Sequence, residues 1–99
     1  MDINKNLENG VLNIGLVGRL DTTTAPELEN ELKNSLEGVN ELVFDLGLLE
    51  YISSAGLRVL LFAQKTINAA QGKMTIKNVK PEIMEVFEIT GFVDILTIE

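Results

Sequence analysis

The hydrophobic pattern of this chain changes period around Ser53, and that switch restricts the possible folds more than any other feature. Upstream, Leu42-Val43-Phe44 runs without a polar break and closes on Asp45, the pattern of a short strand buried on both faces. Downstream, Leu57 to Ala70 contains no Gly or Pro and carries apolar residues at 57, 60, 61, 63 and 67, close to helical spacing. The segment Tyr51-Ile52-Ser53-Ser54-Ala55-Gly56-Leu57 therefore lies where a strand passes into the first turn of a helix. Such a turn has unpaired backbone N–H groups and the positive end of the helix dipole, so it can hold an anion. A serine there also serves as a simple N-cap, and Ser53 and Ser54 both qualify.

The flanking sequence supplies the remaining elements. Asp2 to Leu7 and the alternating Val11 to Val17 are separated by Asn9-Gly10, a two-residue turn signal, which predicts an N-terminal hairpin. Thr24-Ala25-Pro26-Glu27 has the form of a capping box with Pro in the first turn. Leu28, Leu32 and Leu36 continue a helix that Gly38 stops, with Glu29 and Lys33 one turn apart on its exposed side. Glu41–Leu46 is the third strand and Ser54–Ala70 the second helix. Gln71-Gly72 turns into a strand over Lys73–Lys77, in which Met74 and Ile76 face one way. Pro81 opens a third helix whose Ile83, Val86 and Phe87 line one face until Gly91, and Phe92 to Ile98 makes a last strand. The order ββαβαβαβ predicts an α/β fold with a small mixed sheet in which helices connect parallel strands. Residues 1–99 read as one domain, since this length supports one modest core. The second helix is apolar beyond a single stripe, so a neighbouring helix is expected to cover what the sheet does not.

Residue types narrow the chemistry. The absence of His and Cys removes the Ser-His-Asp and Cys-His arrangements and every His/Cys zinc site. No glycine-rich nucleotide loop occurs. Glu27 and Glu31 lie four apart and read as a solvated helix face. Asp21 reads as a turn former before a helix and Asp45 as a strand terminator that bonds local N–H groups. No catalytic residue, metal ligand or cofactor is expected. A net charge of −7 with scattered basic residues argues against direct nucleic-acid binding. No apolar run approaches a membrane span and Met1-Asp2-Ile3-Asn4-Lys5 does not read as a signal peptide, so a cytoplasmic protein without membrane insertion is expected.

Asp45-Leu46, then Leu49-Glu50-Tyr51-Ile52-Ser53-Ser54-Ala55-Gly56-Leu57 with Val59-Leu60-Leu61 following, resembles the signature of STAS domains. More narrowly, it resembles that of the bacterial anti-sigma factor antagonists. Gly18-Arg19-Leu20-Asp21 with Thr22-Thr23-Thr24-Ala25 resembles the family's second recurring segment, a loop beside the phosphorylated serine. The resemblance implies that the serine two places before the glycine, Ser54, is phosphorylated by a partner kinase. Many members have Asp before that serine and a hydroxyl after it. This chain has Ser53 and Ala55 instead, which makes Ser53 a rival acceptor.

The resemblance further implies a non-enzymatic protein that binds an anti-sigma factor, itself a serine protein kinase, in its unphosphorylated form and so frees a sigma factor. A serine phosphatase would reset it. The expected docking surface comprises Asp21, Thr22, Thr23, Thr24, Ser53, Ser54, Gly56 and Arg58. Gly56 is expected to serve close approach of the backbone or the partner rather than packing. The alternative is a phosphorylation-independent STAS module acting as a scaffold or as the non-enzymatic subunit of a transport system.

Overall fold

The computed structural model describes residues 1–99. The elements run β1 (Asp2–Glu8), β2 (Val11–Leu20), α1 (Ala25–Ser35), β3 (Glu41–Ile52), α2 (Ser54–Ala69), β4 (Lys73–Lys77), α3 (Pro81–Thr90) and a 3₁₀ turn over Phe92–Asp94. The four strands form one sheet in the order β1-β2-β3-β4. β1 is antiparallel to β2, while β3 pairs in parallel with both β2 and β4. The expected mixed sheet and α/β fold are borne out. Asn9 and Gly10 turn the hairpin with φ of 54° and 79°, the positive values that a type I′ turn requires.

Alternate residues of the strands meet the helices on one face of the sheet. Leu12, Ile14 and Leu16 of β2, Leu42, Phe44 and Leu46 of β3, and Met74 and Ile76 of β4 join one apolar cluster. Leu28 and Leu32 of α1, Leu60 and Ile67 of α2, and Ile83 and Phe87 of α3 complete it. The intervening Asn13, Gly15, Val43 and Asp45 are only half-buried. The strand around Phe44 is therefore buried on one face and not on both, because no helix covers the other. α1 packs beside α2, as the breadth of the apolar surface on α2 predicts, and Glu29 pairs with Lys33 at 3.5 Å.

The third strand does not end at Leu46 but continues to Ile52. In parallel register Gly15 pairs with Asp45 but Val17 with Leu48, and Gly18 pairs with Leu49 but Arg19 with Tyr51. Each step inserts one extra residue into β3, a bulge. Inward positions are consequently 42, 44, 46, 49 and 52, and the loss of strict alternation after Leu46 hides the rest of the strand. Asp45 stabilises the first bulge rather than terminating the strand. Its Oδ1 accepts the Gly47 N–H at 2.9 Å and the Asn78 side-chain amide at 3.1 Å.

The expected last strand is reduced to a single parallel bridge between Ile76 and Ile98. After Gly91, which has φ of 80°, the N–H of Asp94 bonds the Gly91 carbonyl, and those of Ile95 and Leu96 bond the Phe92 carbonyl. These turn bonds compete with strand pairing, and they fold buried Leu96 into the core. The capping box at Thr24 is also not formed. Thr24 occupies the N-cap position, but its side chain makes no cap bond and turns back into the preceding loop.

The Gly47 N–H first, then the Asn78 amide and the charge of Lys77, hold the Asp45 carboxyl below the ordinary carboxylate range against the opposing cost of burial. A depressed folded pKa contributes stability above the unfolded value, and that contribution is lost as pH falls through the folded value. Asp45→Ala should therefore cost about 1 kcal/mol in urea unfolding at neutral pH. The gap between wild type and variant should narrow as the curves are taken at pH values falling through and below the ordinary carboxylate range.

Candidate functional site

Parallel strands β2 and β3 each lead into a helix, so the loops that follow them emerge at the same end of the sheet. The Ser53 N–H donates to the Leu20 carbonyl at 2.9 Å, which ties the two exits together. Asp21, Thr22, Thr23 and Thr24 thus lie beside Ser53 and Ser54.

The loop after β2 is organised by reciprocal bonds. Asp21 Oδ1 accepts the N–H groups of Thr23 and Thr24 at 3.0 and 3.1 Å. Thr24 Oγ1 accepts the Asp21 N–H at 2.9 Å and donates to the Arg19 carbonyl at 2.8 Å. This closed circuit takes the Thr24 side chain away from α1 and explains the missing cap. It also makes Asp21 the turn former that its position suggests. The Thr24 N–H first, then the Thr23 N–H, the Thr24 hydroxyl and the Arg19 charge, outweigh burial and hold its carboxyl below the usual range. Thr22 and Thr23 are exposed.

The two serines separate into different environments. Ser53 has extended backbone and caps α2, with Oγ accepting the Gly56 N–H at 3.3 Å. Ser54 is the first helical residue and is exposed, and its hydroxyl makes no hydrogen bond within the chain. The cap therefore belongs to Ser53 and not to Ser54. No acidic residue occupies the first turn of α2, so the positive end of its dipole is uncompensated. Chemically, the Ser54 hydroxyl is an accessible acceptor at an electropositive helix end, with no base bonded to it.

Gly56 is buried and forms no part of the exposed surface. A Cβ there would lie 2.7 Å from Leu20 Cγ, 2.9 Å from Ile52 Cγ1 and 3.0 Å from the Leu20 carbonyl oxygen. Its smallness is a packing requirement, contrary to the sequence-based expectation. Arg58 is exposed and lines a shallow groove of about 270 Å³ between α1 and α2, opposite Thr22, Pro26 and Glu29.

Arg19 and Tyr51 join this end of the molecule without having been singled out as site residues. The Arg19 guanidinium lies 4.2 Å from the centroid of the Tyr51 ring, and its Nε is 3.7 Å from Asp21 Oδ2. Both residues stand in the recurring segments, but only the strand register makes them neighbours. Asp45 lies elsewhere, at the bulge, and no three carboxylates assemble into a group able to hold a metal ion.

A family model described as the STAS domain matches residues 2–99. BtrV of Bordetella bronchiseptica, provisionally named an anti-sigma factor antagonist, is 42% identical over 91 residues, covering 91% of this chain and 78% of BtrV. The anti-sigma-B factor antagonist of Bacillus subtilis is 29% identical over 98 residues, covering 99% of this chain and 88% of that protein. Among solved structures, the anti-sigma factor antagonist SpoIIAA in its unphosphorylated form superposes with a TM-score of 0.79 at 16% identity, covering 99% of this chain and 87% of SpoIIAA. Its phosphorylated Bacillus form gives a TM-score of 0.78 at 17% identity, covering 99% and 91%. At those identities the superpositions establish a shared fold.

Substitutions should separate the local roles in denaturant unfolding. Ser53→Ala should cost about 1 kcal/mol through the lost cap, whereas Ser54→Ala should stay within about 0.5 kcal/mol of wild type. Gly56→Ala adds helix propensity worth up to about 1 kcal/mol. The clash with the Leu20 backbone should outweigh that gain and leave the variant less stable, overpacking costing about 1–3 kcal/mol.

Proposed function

The chain belongs to the STAS domain family, and from that premise we propose that it is an anti-sigma factor antagonist switched off by phosphorylation of Ser54. In its unphosphorylated form it binds an anti-sigma factor that is also a serine kinase, and so frees a sigma factor. A serine phosphatase restores the binding form. The observation that carries this reading is the division of labour between the serines: Ser53 caps the helix, which leaves the Ser54 hydroxyl exposed and unbonded. The Asp21–Thr24 loop and Arg58 supply the neighbouring docking surface, while buried Gly56 acts by letting α2 seat against β2. A net charge of −7 supports action through a protein and not through nucleic acid. No helix is long and apolar enough to cross a membrane, and the reading places the protein in the cytoplasm.

The switch is a change of charge on a fixed fold. A phosphate on Ser54 adds about −1.5 to −2 charges and three strong acceptor oxygens. Within the domain the helix end favours that anion by roughly 0.3–1 kcal/mol, so the fold is kept. At a closely packed interface the same group must be desolvated and meets any carboxylate opposite. A loss of about 4 kcal/mol there is a thousandfold in affinity.

Affinity capture from the native cell in ADP or ATP, with mass spectrometry of bait and prey, should return the kinase together with a phosphate on Ser54. Titrated against that kinase, Ser54→Ala should bind in ADP and ATP alike and take up no phosphate. Ser54→Asp should fold normally and bind at least about tenfold more weakly, a loss of 1.4 kcal/mol or more. Ser53→Ala should still be phosphorylated. Tight binding by Ser54→Asp together with phosphate uptake by Ser54→Ala would move the switch elsewhere and leave a phosphorylation-independent STAS module.

A further inference from the structure

We propose that Arg58 is the internal counter-ion of phosphorylated Ser54, so that the chain itself clamps the phosphate it presents. This inference rests on the reading of Ser54 as the acceptor. Ser54 and Arg58 are four residues apart on α2 and both are exposed, so they share one face of the helix. The anion stands N-terminal to the cation, the favourable order for such a pair.

Arg58 is also available. The chain's three ion pairs join Lys5 to Glu31, Arg19 to Asp21, and Lys33 to Glu29, and Arg58 takes part in none of them. Glu29 shares its groove but is engaged by Lys33 from the same helix. Arg19, the other cation at this end, is stacked on Tyr51 and drawn to Asp21. A phosphate on Ser54 would therefore meet one uncommitted guanidinium and no acidic side chain in the first turn of α2. The planar guanidinium fork can donate two parallel bonds to phosphate oxygens, whereas lysine offers a point charge. The clamp would reinforce α2 in the phosphorylated state and fix the direction in which the phosphate projects.

The charges that bear on this phosphate are Arg58 on its own helix, Asp21 and Arg19 at the adjoining loop, and Glu29 across the groove. The test uses the full chain with phosphoserine installed at position 54 during translation, so no kinase is required. The second phosphate ionisation is followed by ³¹P NMR in wild type, Arg58→Gln and Arg58→Lys, with circular dichroism to confirm folding. The wild-type midpoint should lie a few tenths of a pH unit below that of Arg58→Gln. Arg58→Lys should fall between, and the difference should shrink in 1 M salt, where the Debye length is about 3 Å. Phosphorylated wild type should also melt above phosphorylated Arg58→Gln, with the unphosphorylated pair melting together. Superimposable titration curves would overturn the pairing whatever the binding behaviour. A shifted curve in a phosphorylated chain that still binds the captured kinase would uphold the pairing and reject the switch.

Discussion

The close seat of α2 on the end of β2 is the contact on which the functional end of this protein depends. Gly56 brings the first helical turn so near the strand that a single added carbon would strike the side chain and carbonyl of Leu20. That carbonyl also accepts the Ser53 N–H. One residue at the end of β2 is therefore both the floor under α2 and the anchor of the turn leading into it. The loop following Leu20 must then run beside the serines. Interiors packed to crystal-like density have little room to absorb a shift there, so the spacing of the two loops is set by core packing rather than by surface contacts.

The two bulges of β3 deliver the chain to that seat. β3 has twelve residues beside the ten of β2, and each of the two insertions reverses the face that the residues after it present. A one-residue slip sends a strand's inward side chains outward. The first slip turns Leu49 rather than Leu48 into the core, and the second restores the original parity and keeps Ile52 there. The first insertion is held by Asp45 through Gly47 and Asn78, which links the bulge to the end of β4. A carboxylate remote from the serines thus helps to set where they stand.

Hydrogen bonding then separates residues that look equivalent on paper. Ser53 and Ser54 are identical neighbours, yet the helix start gives one of them a backbone partner and leaves the other open. Thr24 and Asp21 satisfy each other so fully that the threonine has nothing left for the helix it precedes. In both cases the deciding fact is which N–H group lies within reach, a property of backbone path and not of residue type.

Patterns of period and turn chemistry determined the elements. Asn9-Gly10, Pro26, Pro81 and Gly91 marked boundaries because each fixes or frees a backbone angle locally. Leu28, Leu32 and Leu36 marked a helical face because side-chain spacing along a helix is set by the backbone alone. The motif around Ser53–Gly56 announced a strand-to-helix turn for the same reason. The second half of β3, the loss of the final strand and the capping role of Ser53 were decided only in three dimensions. So were the packing role of Gly56 and the meeting of Arg19 with Tyr51. The length of β3, the seat of Gly56 and the Arg19–Tyr51 contact depend on which residues of distant segments come opposite one another, and register between strands is a sum over the whole core that no local stretch encodes. The Ser53 cap and the final turn follow from the backbone path, which residue type alone does not fix.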